Sequence, residues 1–243
     1  IVDIAGLVKG ASKGEGLGNK FLANIRNTNA IIHVLRCFEN ENITHVDGTV
    51  DPVRDKGIID TELQLKDLET VEARIKKTEK LANVGHDKAA KVEYGLLLRY
   101  KEALEQGQSA RVVEPENEEE AIAAKNMFLL TTKPVLYVCN VDDTSAKEGN
   151  AYVEKVREAI QGENAELIII SAQTEADIAE LESYEEKQMF LEDMGLEESG
   201  CNRLIKAAYK MLELETFITA GEMEVKAWTY RRGWKAPQCA GVI

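Results

Sequence analysis

Three short apolar runs, each followed by polar residues, constrain the fold of this chain more than any other feature. They are the run that starts at Ile1 and ends on Asp3; residues 136–139, followed by Asn140, Val141 and Asp143; and residues 167–170, followed by Ser171 and Ala172. Apolar runs of this length are typical of strands buried on both faces of a parallel sheet. Because such sheets bind ligands at the carboxyl ends of their strands, the sequence predicts an α/β fold with a ligand site there.

A glycine-dense stretch follows the first run and begins with the pattern Asp3-x-x-Gly6. In nucleotide hydrolases, a carboxylate at a strand end can hold a magnesium-bound water, and a glycine N–H can face the γ-phosphate. The pattern is weak alone, because a structural turn would explain it equally well. In this chain, however, the pattern is followed by Asn140-x-x-Asp143 and then by Ser171-Ala172. A P-loop nucleotide-binding domain has its motifs in this order from the third motif onward.

Several stretches together resemble the YchF-type Obg-like ATPases. They are residues 3–26, 37–46, 175–181, 219–221 and 236–238. The resemblance covers essentially the whole chain. It implies a P-loop α/β domain with a mostly parallel sheet, an inserted coiled-coil hairpin and a carboxyl-terminal TGS domain of the β-grasp type. It also implies slow, magnesium-dependent ATP hydrolysis, association with the ribosome and RNA through the helical arm and the TGS domain, and a cytoplasmic location.

His45 is the predicted catalytic residue. Many P-loop GTPases carry a glutamine after Asp-x-x-Gly to orient the attacking water. This chain has Leu7 at that position, and a leucine side chain cannot form a hydrogen bond with water. A loop histidine is usually only a surface residue, but the resemblance assigns this role to His45 in the matching context of residues 42–46. A neutral imidazole that orients water is sufficient for such chemistry.

Asn140-Val141-Asp142-Asp143 is expected to face the nucleotide base. Guanine-specific proteins use Asn-Lys-x-Asp, and Val141 replaces that lysine here. The resembled family typically carries Asn-x-x-Glu and prefers adenine, with the backbone near Val141 reading the base. Asp143 departs from that pattern, since an aspartate is also what guanine recognition uses. We favour ATP, with GTP as the alternative, and expect Ser171 and Ala172 to brace the base through their backbone.

The chain contains no glycine-rich loop that ends in Lys-Ser or Lys-Thr. That loop cradles the phosphates of the nucleotide and supplies a magnesium ligand. We therefore expect the sequence to be a fragment that lacks the amino-terminal P-loop and most of the TGS domain, and to be inactive by itself. The alternative function is that of a non-catalytic module that binds RNA or the ribosome.

Between the strand patterns, apolar residues recur at helical spacing. Leu65, Leu68, Val71 and Ile75 follow Asp60, a candidate N-cap, and Val92, Leu96, Tyr100 and Leu104 precede Gly107. This pattern predicts an antiparallel helical hairpin, which could be a structural arm or a partner-docking arm. The predicted domains are 1–58 and 128–200 for the nucleotide-binding domain, 59–127 for the insertion, 201–215 for a linker helix and 216–243 for a partial TGS domain.

Composition limits the classes of partner. With 43 acidic residues, 30 Lys and Arg and a net charge of −13, the chain is not a general nucleic-acid coat, although a small basic patch remains compatible. The four cysteines show no Cys-x-x-Cys spacing, which indicates free thiols in a reducing compartment. No apolar stretch approaches the length of a membrane span, so no membrane partner is expected. Residues 230–235 are basic and aromatic, and they are either an RNA contact or an exposed turn.

Overall fold

The computed structural model describes residues 1–4, 17–84 and 87–243. Gly6 and the rest of the glycine-dense loop lie outside these residues, so the prediction made for Gly6 stays a prediction. The chain divides into two compact units, one formed by residues 1–31 and 53–134 and the other by residues 32–52 and 135–243. Among the described residues, no helix is long and apolar enough to span a bilayer.

Helices and strands follow one another in an α/β order that confirms the predicted fold class. In chain order they are α1 (Leu17–Arg26), β1 (Ile31–Arg36), α2 (Pro52–Val84), α3 (Lys88–Glu105), α4 (Glu118–Met127), β2 (Val135–Asn140), α5 (Ala151–Ala159), β3 (Glu166–Ile170), α6 (Ala172–Glu180), α7 (Tyr184–Asp193), α8 (Gly200–Met211), β4 (Leu214–Ala220), β5 (Val225–Arg231) and α9 (Ala236–Ala240).

The main sheet has the strand order β1-β2-β3. β2 and β3 are parallel, with Leu136 opposite Glu166 and Asn140 opposite Ile170. The N–H of Cys37, just after β1, donates to the carbonyl of Asn140 at the end of β2 (2.7 Å), so these two strands also end together. The carboxyl ends of all three strands therefore lie at one edge, as expected for an α/β sheet.

The predicted strand that ends on Asp3 is wrong. Residues 1–4 have no regular secondary structure, and Ile1 and Val2 are 93% and 71% exposed. A strand needs a hydrogen-bonded neighbour, and residues 1–4 belong to neither sheet of the described chain. The apolar character of the run therefore did not decide its conformation.

The predicted helical hairpin is formed by α2 and α3. Val71 on α2 and Leu96, Tyr100 and Leu104 on α3 are buried in one apolar cluster. The prediction that α2 begins after Asp60 is wrong, because the helix starts eight residues earlier, at Pro52. Proline is favoured at the start of a helix, where its missing N–H costs nothing. The boundaries proposed for the domains remain predictions.

Asp67 is a fully buried carboxylate in the middle of α2. Its Oδ1 accepts the N–H of Leu130 (2.8 Å), and its Oδ2 accepts both the N–H and the hydroxyl of Thr131 (2.7 Å each). Burial raises the pKa of Asp67 above its usual range, although these hydrogen bonds act in the opposite direction. The side chain thus fixes the segment after α4 against the helical hairpin.

The end of the chain forms a separate antiparallel pair of strands, β4 and β5, in register from Leu214 opposite Arg231 to Ala220 opposite Val225. In the region predicted as a linker helix, residues 201–215, the helix ends at Met211. Glu213 adopts a left-handed conformation (φ 53°), which turns the chain from α8 into β4. The assignment of this region to a partial TGS domain stays a prediction.

Candidate nucleotide-binding site

Asn140 joins the ends of β2 and β3. Its Oδ1 accepts the N–H of Ala172, the first residue of α6 (3.0 Å). The N–H of Val141 donates to the carbonyl of Ile170 (2.9 Å), and the side chain of Val141 is buried. The structure therefore brings Asn140, Val141 and Ala172 together at the carboxyl edge of the sheet, where the sequence predicted them to lie.

Asp143 is held at the same edge by two hydroxyl groups. Its Oδ1 accepts hydrogen bonds from Ser171 Oγ (2.5 Å) and Thr174 Oγ1 (3.0 Å). Both donor side chains are buried, whereas Asp143 is exposed. Its Oδ2 accepts no hydrogen bond from any residue that the structure describes. The arrangement presents one carboxylate oxygen, in a fixed orientation, to a donor on a ligand.

Thr174 is a site residue that sequence reasoning missed. The helix α6 begins at Ala172 with Ser171 as its N-cap, which places Thr174 in the first helical turn. Ser171 Oγ accepts the N–H of Thr174 (3.1 Å) while donating to Asp143. A serine accepts readily from an N–H of the first helical turn, which is why the strand end and the helix start coincide.

Asp142 has a structural role beside the site. Its Oδ1 accepts the hydroxyl of Thr144 (2.6 Å) and the N–H of Ser145 (3.0 Å), which closes a short 3-10 turn. The hydroxyl of Thr144 is the main reason that the pKa of Asp142 is lowered. Of the two adjacent aspartates, it is Asp143 that contacts the carboxyl edge of the sheet.

His45 lies half-buried in the loop that follows β1. Its Nδ1 accepts the N–H of Asp47 (3.1 Å). This contact ties the imidazole ring to its own loop.

Arg36, at the end of β1, organises the loop before His45. Its guanidinium donates to the carbonyls of Phe38 (3.1 Å), Asn40 (3.3 Å) and Ile43 (3.0 Å), and it lies 4.9 Å from the centre of the Phe38 ring. Sequence reasoning did not select Arg36. The available signal was a single arginine that ends an apolar strand directly before a polar loop.

Two side chains near the start of α5 fix the other side of this loop. Asn150 Nδ2 donates to the carbonyl of Cys37 (2.7 Å), and the Tyr152 hydroxyl donates to the carboxylate of Glu39. The backbone leading to His45 is thus anchored both at the end of β1 and at α5.

Asp3 is exposed and lies in the unit that contains α2, whereas His45, Asn140 and Asp143 lie in the other unit. The described residues contain no group of three or more His, Cys, Asp or Glu side chains that could hold a metal ion. A single exposed carboxylate that contacts Mg²⁺ through water is compatible with this finding, because Mg²⁺ usually keeps several of its waters.

Known proteins resemble the chain along its whole length. The family model described as "YchF-GTPase_C: Protein of unknown function (DUF933)" matches residues 214–243. Proteins called "Ribosome-binding ATPase YchF" are 55% identical in Bacillus subtilis, over 99% of this chain, and 50% identical in Escherichia coli O157:H7, over 100%. The relative of the same name in Mycoplasma pneumoniae is 44% identical over 100% of this chain and 67% of its own length.

A solved structure, titled as that of the Schizosaccharomyces pombe YchF GTPase, matches with a TM-score of 0.83 and 36% identity, covering 98% of this chain and 64% of that one. The chain spans 66% of the length of the Bacillus subtilis and Escherichia coli relatives. The similarity thus extends over nearly all of this sequence and about two thirds of each relative.

Proposed function

This chain belongs to the YchF family, and from that premise we propose that it is part of an ATP-binding and slowly ATP-hydrolysing protein that acts at the ribosome. The names of the bacterial relatives support the ribosome as the binding partner and ATP as the substrate. The name of the Schizosaccharomyces pombe structure mentions GTP hydrolysis instead, so the choice of base has to be argued from the site itself.

The observation that carries the proposal is the orientation of Asp143 by Ser171 and Thr174. Guanine presents two adjacent donors, its ring N–H and its exocyclic amino group, which suit two free carboxylate oxygens. Adenine presents one amino donor beside a ring acceptor. Because Oδ1 of Asp143 already accepts two hydroxyl hydrogen bonds, only Oδ2 is open to the base, and this favours a single donor.

Val141 supports the same choice. Its side chain is buried and apolar, so it cannot cover the base with a cation as the lysine of guanine-specific proteins does. GTP remains the second candidate substrate, because Asp143 keeps the acid that guanine recognition uses. In either case Asn140 contributes by tying the strand end to α6 through Ala172.

We assign the orientation of the attacking water to His45. Nδ1 of His45 accepts the N–H of Asp47, which holds the ring in the loop, and the imidazole positions the water by a hydrogen bond. Asp3 would hold Mg²⁺ through water and the N–H of Gly6 would face the γ-phosphate. The metal supplies neutralisation of charge on the phosphates. Loop anchoring by Arg36 keeps His45 from sampling unproductive positions.

Replacing Thr174 with valine tests the assigned role of Asp143. The variant keeps the buried volume but releases one hydrogen bond from Oδ1, which can then accept a second donor from guanine. In a chain extended to the full length of the curated relatives, we expect the ratio of ATP to GTP affinity to fall about fivefold, the equivalent of roughly one hydrogen bond. Calorimetric titration with each nucleotide measures the ratio.

The matched control is Thr78→Val, which changes another buried threonine, on α2. It should leave the ratio of ATP to GTP affinity unchanged. An unchanged ratio in Thr174→Val as well would show that the hydroxyl contacts of Asp143 do not determine the choice of base.

A further inference from the structure

A groove with a volume of about 670 Å³ lies between the end of α1, the middle of α2 and the end of α4. All of its lining residues belong to the unit formed by residues 1–31 and 53–134. We call it the basic groove, and its charged and aromatic lining residues are Arg26, Lys66, Glu69, Arg74, Lys77 and Phe128. Four cations and one carboxylate line it, on a chain whose net charge is −13.

Two of the four cations are already in ion pairs. Lys66 contacts Glu69 (2.8 Å), and Arg74 contacts Glu93 (2.9 Å). Lys77 is exposed and forms no ion pair with any described residue. It is therefore available to bind an anion that enters the groove.

Arg26 also has unused donor capacity. Its Nη2 forms one long contact with the Thr70 hydroxyl (3.5 Å), and its Nε–H is buried without a hydrogen-bond partner among the described residues. The charge of Asp67 acts on Arg26, but the carboxylate oxygens of Asp67 accept hydrogen bonds from Leu130 and Thr131. A buried, unpaired guanidinium N–H is costly, and a bound anion would lower that cost.

Phe128 is unusual in two respects. It ends α4 in a left-handed conformation (φ 52°, ψ 39°), and 59% of its surface is exposed. Glycine or asparagine normally occupies such a position, because other side chains are strained there. A strained, exposed aromatic ring beside a cation-lined groove indicates a function for the ring itself.

We propose that the basic groove binds a single-stranded segment of RNA, with a base stacked on Phe128 and phosphate oxygens held by Lys77 and Arg26. Stacking on an aromatic ring combined with backbone contacts to cations is the usual way to bind unpaired RNA. An acidic peptide would use the cations but not the ring. This inference rests on the proposed function in one respect, since the ribosome is the partner that would present the RNA.

The direct test measures binding of a labelled single-stranded RNA of mixed sequence to the whole chain by fluorescence anisotropy, without nucleotide. Phe128→Asn should weaken binding about tenfold, within the range that one base stack contributes, whereas Phe128→Tyr should bind as the original chain does. Asparagine tolerates the left-handed conformation, so thermal stability should not fall. The matched control is Tyr184→Asn, which removes another exposed ring, on α7.

A second pair of variants tests the phosphate contact. Lys77→Gln should weaken RNA binding and reduce the slope of log affinity against log salt by about 0.7, the value for one phosphate contact to a single strand. Lys76→Gln is the matched control, because Lys76 is the exposed neighbour on α2 and does not line the groove. It should leave the slope unchanged.

Unchanged RNA binding in Phe128→Asn would overturn the proposal. So would displacement of the RNA by polyglutamate that binds the original chain and Phe128→Asn equally well, because the groove would then be a site for acidic protein segments. Titration of ATP into the same variants of the extended chain distinguishes a failure of the RNA proposal from a failure of the proposed nucleotide site. None of the groove residues is assigned to the nucleotide site, so ATP affinity should not change whether or not RNA binding is lost.

Discussion

Replacing Asp67 with alanine is expected to destabilise the unit that contains α2 by about 3–5 kcal/mol. The substitution leaves three donors without their acceptor: the N–H of Leu130 and both the N–H and the hydroxyl of Thr131. Asp67 is fully buried, so water cannot replace the carboxylate without opening the structure. Urea unfolding followed by circular dichroism, whose signal comes largely from the helices, measures the loss.

The control for Asp67→Ala is Glu72→Ala on the same helix. Glu72 is a half-exposed carboxylate that contacts Lys101 at 3.3 Å. A surface pair of this kind contributes at most about 1 kcal/mol. Equal destabilisation by the two substitutions would mean that the buried hydrogen bonds of Asp67 do not hold the segment after α4 in place.

Replacing His45 with alanine is expected to reduce ATP hydrolysis by a chain extended to the full length of the curated relatives about 10²–10³-fold. The loss arises because the attacking water is no longer oriented by the imidazole ring, which the contact with Asp47 holds in the loop. ATP affinity should stay within about twofold, since the group acts on the reacting water rather than on the base or the phosphates. Phosphate release and calorimetric titration measure the two quantities.

His33→Gln serves as the control for His45→Ala. His33 lies on β1, and its ring is 5.7 Å from that of Tyr137 inside the sheet, so the substitution changes a histidine outside the loop. It should keep ATP hydrolysis near the original rate. Hydrolysis by His45→Ala at the original rate would contradict the role assigned to His45 and leave water orientation to another group.

The sheet edge was predictable from the sequence because strand ends carry local signals. Uninterrupted apolar runs fix β2 and β3, and parallel strands place their carboxyl ends together. The sequence alone therefore predicts that Asn140 and Ser171 lie at one site. Asn117, which caps α4 through the N–H of Glu120, was predictable for a similar local reason.

Other features depend on contacts between distant parts of the chain, and sequence patterns do not show such contacts. Asp67 looks like one more charge on an amphipathic helix, yet it binds the backbone more than sixty positions away. Thr174 and Arg36 likewise have roles that depend on their contacts, with the carboxylate of Asp143 and with the backbone of the loop before His45. The failure at residues 1–4 is of the same kind, since an apolar run forms a strand only when a neighbouring strand pairs with it.

Titration of ATP and of GTP, each with magnesium, into the extended chain distinguishes the two candidate substrates. Because Oδ1 of Asp143 is occupied by Ser171 and Thr174, and because Val141 stands where guanine-specific proteins have lysine, ATP should bind more tightly than GTP. Tighter binding of GTP would contradict the account at its most informative site, since it would show that Asp143 reads guanine in spite of both features.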